Sequence, residues 1–134
     1  MNSDTQTVTI QAEPERVFAF LAAPENLPKW AINFCQDIRQ EGERWLVRSE
    51  EPGMASTEVE VKFLTNAKQG VIDFLMVPTP GVEALAASRV VPNAEGATYI
   101  FTRFQPSQMP DDVFAGLKEG LTNELRELKR LLER

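Results

Sequence analysis

The 134-residue chain contains no histidine, a single cysteine and a single tyrosine. Without imidazole the usual proton carrier near neutral pH is missing, which excludes Ser-His-Asp and Cys-His nucleophile systems and histidine-based metal sites. Any catalysis must run on carboxylate, tyrosine, lysine or arginine side chains. The lone thiol, Cys35, can form neither an intramolecular disulfide nor a cysteine-rich zinc site, and this usage fits a reducing cytoplasm. Basic charge is also scarce: 14 Lys and Arg stand against 20 Asp and Glu, for a net charge of −6. Polyphosphates are held by clustered Lys and Arg, so neither nucleic acid nor an anionic membrane is expected as a partner. No run reaches the length of a membrane span, and MNSDTQTVTI has neither the basic start nor the apolar stretch of a targeting signal. A water-soluble, cytoplasmic protein is expected.

Of the residues present, 43% are apolar, enough to close one core, and a single domain over residues 1–134 is expected. Thr7 to Gln11 alternate β-branched and polar side chains as a short strand does. Pro14 suits the first turn of a helix, and VFAFLA is apolar enough to be buried in one. In PENLPKW, Pro24 stops that helix by restricting the residue before it. Asn26 and Pro28 are placed to start another, over Leu27 to Phe34. Two short helices meeting at a kink should result. From Asp37 onward short runs separated by turns take over, divided at QEGE, EEPGMAS, TNAKQG, VPTPG and NAEG. In STEVEVKFL, Thr57, Val59, Val61 and Phe63 share one face and Glu58, Glu60 and Lys62 the other. Phe114, Leu117, Leu121, Leu125, Leu128 and Leu132 then recur at three- and four-residue steps, which predicts a long amphipathic helix whose ELRELKRLLER end is a solvated face. The chain is therefore of the α+β class, with about seven antiparallel strands curved around a long C-terminal helix and two short helices between strands 1 and 2.

This order, with TVTIQAEPERVFAFLAAPENLPKW near the start, RVVPNAEGATYIFTRFQP late and MPDDVF leading into the closing helix, resembles the START-like (SRPBCC) superfamily. Within it the chain is most similar to the polyketide cyclase and dehydrase type, relatives of the birch-pollen allergen fold. The resemblance spans nearly the whole chain and implies a helix-grip architecture. Its families include lipid carriers, plant hormone receptors and aromatase/cyclases, and their cavity between sheet and long helix holds apolar or amphipathic small molecules. No cofactor and no metal are implied. Relatives of this subgroup often carry a histidine next to an aspartate, where this chain has Phe74. A fold alone leaves the activity open.

If VPTPG and NAEG close tight hairpins, Asp73, Ala86 and Arg103 fall side by side on three neighbouring strands. That face also takes Val71, Leu75, Ala84, Ser88, Val90, Tyr99 and Phe101. Ala84, Ala86 and Ser88 are small and leave volume above the middle strand, so this face is assigned to the concave side, with Arg103 reaching over Ala86 toward Asp73. A charge pair in an apolar pocket is costly to build for stability alone and points to the orientation of a polar ligand group. A register slip of one residue would carry both charges to the outer face. On this assignment Ile72, Phe74 and Met76 project from the convex side, where such a cluster is rarely left bare. Either two copies of the chain meet there as a homodimer, or the parity is inverted and these three line the cavity.

The candidate ligand contacts are Trp30 and Phe34 after the kink, Asp73, Ser88, Tyr99, Phe101 and Arg103 on the sheet, and Leu117 and Leu121 on the last helix. Trp30 reads first as a core anchor and second as a ligand contact, since large aromatics usually dominate packing. Cys35 has no basic neighbour nearer in sequence than Arg39 and reads as an inert buried thiol. Gly116 and Gly120 leave room on one side of the helix for a ligand or for close approach of the sheet. Three functions stay open: binding of a small hydrophobic or amphipathic molecule; a cyclase-, aromatase- or dehydratase-like enzyme in which Asp73, Tyr99 or Arg103 assists; and a protein-interaction module with a closed cavity. No catalytic residue is assigned.

Overall fold

The computed structural model describes residues 1–51 and 58–134. Strand β1 (Ser3–Ile10) leads into α1 (Pro14–Ala22), a single 3-10 turn (Pro24–Asn26) and α2 (Leu27–Trp30). Strands β2 (Asp37–Glu41), β3 (Arg44–Arg48), β4 (Glu58–Asn66), β5 (Val71–Thr79), β6 (Val82–Asn93) and β7 (Gly96–Phe104) follow, and α3 (Asp111–Leu132) closes the chain. The seven strands among the described residues form one antiparallel sheet in the order β1-β7-β6-β5-β4-β3-β2, so β1 returns to pair with the last strand. This is the helix-grip arrangement: a curved sheet around a long C-terminal helix, with short helices between the first two strands. Most of the EEPGMAS connection, and Thr57, lie outside the described residues.

α2 is shorter than the spacing predicts. It stops at Trp30, and Ala31 leaves the helical region at ψ 58°. The reason is competition for donors: the N–H groups of Asn33 and Phe34 bond to the Glu124 carboxylate on α3 instead of continuing a helix. Asn26 does not cap α2 with its side chain; its amide donates to the Phe20 carbonyl at 3.0 Å and ties the kink back to α1.

The two hairpins differ in how well their register follows from sequence. NAEG pairs Asn93 with Gly96, and β6 and β7 then run in step through Ser88↔Phe101 and Ala87↔Thr102, so Ala86 and Arg103 keep the parity expected of them and share one pocket lining. The β5–β6 hairpin does not close as a plain tight turn. A bulge between Met76 and Thr79 shifts the register, so Phe74, not Asp73, pairs with Ala86. One residue of slip inverts a strand. Ile72, Phe74 and Met76 are therefore buried against the core, while Val71, Asp73 and Leu75 are turned away from it. The convex apolar cluster that suggested a homodimer contact is not on the convex face.

α3 buries Phe114, Leu117, Leu121, Leu125, Leu128 and Leu132, the whole predicted stripe, and Glu124 with them. Its start is held by Gln105, whose amide donates to the Met109 carbonyl and to Asp111 at 2.8 and 2.9 Å. Its end is held by Lys129, which donates to the Thr9 carbonyl at 2.7 Å, and by the Arg16 guanidinium on the Leu132 carbonyl at 2.6 Å. Both anchors come from the β1–α1 side, so the helix is fixed across the sheet and the segment after α2 covers its middle.

Gly70, at the turn before β5, has φ +71°, and a Cβ there would sit 2.1 Å from the Val90 carbonyl oxygen. The turn's own carbonyl is used as well: Gly70 accepts the Val90 N–H of β6 at 2.8 Å. Gly70→Ala should therefore cost about 2–3 kcal/mol, combining an unfavourable left-handed backbone with a clash against main chain. Urea denaturation checks this; a loss below about 0.5 kcal/mol would show that the turn has an alternative geometry.

Candidate functional site

A chain of rings runs through the core from Trp30. Its ring centroid lies 6.1 Å from that of Tyr99, edge to face, and 6.5 Å from that of Phe74. Phe74 in turn meets Phe63 at 5.3 Å and Phe101 at 6.1 Å. Next to this stack, between β5–β7 and α3, lies a pocket bounded by Leu27, Trp30, Phe34 and Ala31 on one side. Phe74, Met76, Ala86 and Phe101 form its sheet wall, and Leu121 its helix wall. Two charged side chains, Arg103 and Glu124, complete the lining. The free space in this pocket is about 30 Å³. That is room for one water molecule, so side chains fill most of the groove.

The charges are organised across three elements. Arg103 on β7 donates from Nη2 to Oε1 of Glu51, just after β3, at 2.9 Å; the two side chains are 11% and 2% exposed. Glu124, only 3% exposed, accepts the backbone N–H groups of Asn33 at 3.0 Å and Phe34 at 3.1 Å on a single oxygen, Oε2. Burial pushes its pKa up to about 7, and the nearby Glu51 adds to this, against the lowering pull of Phe34 N–H, Arg103 and Asn33 N–H. Two carboxylates thus face one guanidinium at the polar end of an apolar pocket.

The raised value has a stability consequence. Between roughly pH 4.5 and 7 the unfolded chain has released this proton while the folded chain keeps it, so stability falls as pH rises through that window. Glu124→Gln retains an oxygen for both N–H donors and removes the buried charge. We expect it to be more stable than the parent by about 2–3 kcal/mol at pH 8 and by much less at pH 4.5. Denaturant titrations at the two pH values test this, and an equal difference at both would mean that the carboxyl does not titrate abnormally.

Of the residues predicted from sequence to contact ligand, the structure brings Trp30, Phe34, Phe101, Arg103 and Leu121 into one lining. Four lie elsewhere. Asp73 is turned off the concave face by the register inversion; its Oδ1 accepts the Ser88 N–H at 3.2 Å, and the Ser88 hydroxyl donates to the Ile72 carbonyl. These bonds bridge the stretch between Val71↔Arg89 and Phe74↔Ala86, so both side chains stitch the β5–β6 ladder. Tyr99 is wholly buried behind Trp30 with its hydroxyl unpartnered among the described residues, and burial raises its pKa against a smaller opposing influence from Ser88. Leu117 is buried but outside the pocket. Arg103 consequently pairs with Glu51 rather than with Asp73.

Cys35 is buried with its thiol on the Asp37 carbonyl at 3.3 Å; burial, then Asp37, push its pKa up to about 12. Gly120 faces Asn33, whose side-chain amide donates to the Gly120 carbonyl at 3.0 Å, and a Cβ there would stand 3.2 Å from that amide nitrogen. The glycine thus allows close approach of the segment after α2. Gly116 has open space beside it. Glu51 and Glu124 escaped the sequence reading. Glu124 could have been found, because it falls on the apolar stripe three residues after Leu121 and four before Leu128. Glu51 carries no such signal.

No helix among the described residues is long and apolar enough to cross a membrane. No curated protein matches the chain. Among solved structures it is similar to a Chromobacterium violaceum protein at 17% identity, TM-score 0.69, with 100% of this chain and 99% of that one covered. It is also similar to the Aha1 dimer from Colwellia psychrerythraea at 17% identity, TM-score 0.74, with 99% and 97% covered. A third is Ara h 8.0201, at 14% identity and TM-score 0.68, with 98% and 97% covered. At these identities the likeness speaks for the fold. The family described as polyketide cyclase / dehydrase and lipid transport matches residues 1–133, and the chain belongs to that family, within the START-like superfamily.

Proposed function

We propose that this protein binds a small apolar or amphipathic molecule in the pocket between the sheet and α3. The observation that carries this reading is the placement of Arg103 and Glu124 in an otherwise apolar lining. Buried ionisable groups contribute little net stability compared with apolar side chains of similar size, whereas an apolar wall with a few convergent polar groups is the ordinary composition of a small-molecule site. Membership of a family described by cyclase, dehydrase and lipid-transport roles points the same way. With only about 30 Å³ free, a ligand must open the pocket. The segment from Ala31 to Gln36 belongs to no helix or strand, and opening there would break the three hydrogen bonds of Asn33 and Phe34 to α3, the Gln36 N–H bond to the Arg48 carbonyl, and the core packing of Ala31, Phe34 and Cys35.

Native mass spectrometry of freshly purified protein, followed by thermal melts with apolar compounds, tests the proposal. A bound small molecule, or a rise in Tm with an apolar compound, is expected. Bare protein that no such compound stabilises would sink it and favour a protein-interaction module with a closed cavity. A second reading, a cyclase- or dehydratase-like enzyme, rests on Glu124, since a carboxyl with a pKa near 7 is matched to proton transfer at neutral pH. Ligand recovered with its mass unchanged after incubation separates the carrier from the dehydratase. Cytoplasmic location accords with the single buried thiol.

A further inference from the structure

We propose that the polar end of the pocket selects a protonated amine carried on an apolar body, with Glu124 as its acceptor. This inference rests on the binding reading above and names the ligand class. Three observations carry it. First, the one cation that the described residues bring to the lining is already committed, because Arg103 is paired with Glu51 at 2.9 Å and offers little to an anionic ligand. Second, Glu124 lines the pocket with Oε2 taken by two N–H groups and Oε1 without a partner among the described residues. Third, the local balance of two carboxylates against one guanidinium leaves one negative charge in excess when Glu124 is ionised. A carboxylate ligand would meet repulsion in a poorly screened setting, while an ammonium would complete a charge-assisted hydrogen bond.

The neighbours of Glu124 on every packed element agree. Glu51 and Arg103 act on it from the far wall, and the Cys35 thiol and the Tyr99 hydroxyl are both held neutral near pH 7 by burial. A bound ammonium favours the ionised carboxylate, so binding should release a proton where Glu124 is still protonated. With its pKa near 7, amine affinity should rise about tenfold between pH 6 and pH 8 as the ionised fraction grows.

The test uses two matched trios, octylamine, 1-octanol and octanoate, and phenethylamine, 2-phenylethanol and phenylacetate, titrated calorimetrically into the whole chain and into Glu124→Gln. For the parent at pH 8 the amines should bind about tenfold or more tighter than the matched acids. The pH dependence and the amine preference should both vanish in Glu124→Gln. Equal or tighter binding of the acids or alcohols would overturn amine selection and leave the pocket reading standing. An amine preference that survives in Glu124→Gln would assign it to the acidic surface and equally overturn the proposal. Failure of all six compounds to bind would remove the pocket reading itself.

Discussion

Arg103→Met should lower stability by about 3–5 kcal/mol at pH 8, the scale expected when one partner of a buried ion pair is removed and the other is left behind. The cost does not come from losing an attractive contact so much as from stranding Glu51, whose side chain is 2% exposed and is paired with Arg103. Glu124 makes matters worse, because Arg103 is also the cation that opposes the rise in its pKa. The loss should shrink at pH 5, where Glu124, with its raised pKa, holds its proton and no longer needs the guanidinium. Replacing both members, Glu51→Met with Arg103→Met, should return stability to within about 1–2 kcal/mol of the parent or above it, since apolar side chains of similar volume suit the same surroundings. Urea denaturation of the single and double variants measures the difference. A single variant within about 1 kcal/mol of the parent at pH 8 would mean that water reaches Glu51, and the polar end of the pocket would then be open rather than enclosed.

That charge cluster also marks where the sequence stopped being informative. The elements themselves were legible because each rests on local pattern: α3 from its leucine spacing, β6 and β7 from NAEG, the break after α1 from Pro24. Tyr99, Phe101 and Arg103 could be placed on the concave face because a short turn transmits register from one strand to the next. The β5–β6 turn does not transmit it, because the bulge between Met76 and Thr79 inserts a shift that no residue in VPTPG announces. Asp73 and Phe74 exchanged faces as a result. The partners of the buried charges are set at still longer range: Glu51 meets Arg103 across 52 positions, and Glu124 meets Asn33 and Phe34 across 91 and 90. Nothing local distinguishes Glu51 from its neighbour Glu50, which is exposed and sits near Arg48. Glu124 was hidden for a different reason. A run rich in Glu, Lys and Arg averages as a solvated face, although the helical phase of this one residue is that of the core.

Trp30→Ala should cost about 3–5 kcal/mol, the range for removing a large aromatic from a core. Trp30 is almost fully buried at the meeting point of α2, Phe74 and Tyr99, and it also forms one wall of the pocket. Both roles come from PENLPKW: the prolines turn the chain sharply after α1, and the side chain that follows is driven between the sheet and α3. Removing it deletes the edge-to-face contact with Tyr99 and leaves an apolar void that its neighbours can only partly fill, because Phe74, Phe101 and Leu121 are fixed by their own strands and helix. Such a void, apolar but for Arg103 and Glu124 in the adjoining lining, should accept an apolar guest. Indole added to Trp30→Ala should therefore raise Tm by several degrees, as ligand binding to the folded state requires, while leaving the parent, with its 30 Å³ of free space, nearly unmoved. Stability of the variant close to that of the parent would show that Trp30 is not the anchor of this core. A destabilised variant that indole fails to rescue would show instead that α2 collapses onto the sheet, and that the pocket cannot be held open from this side.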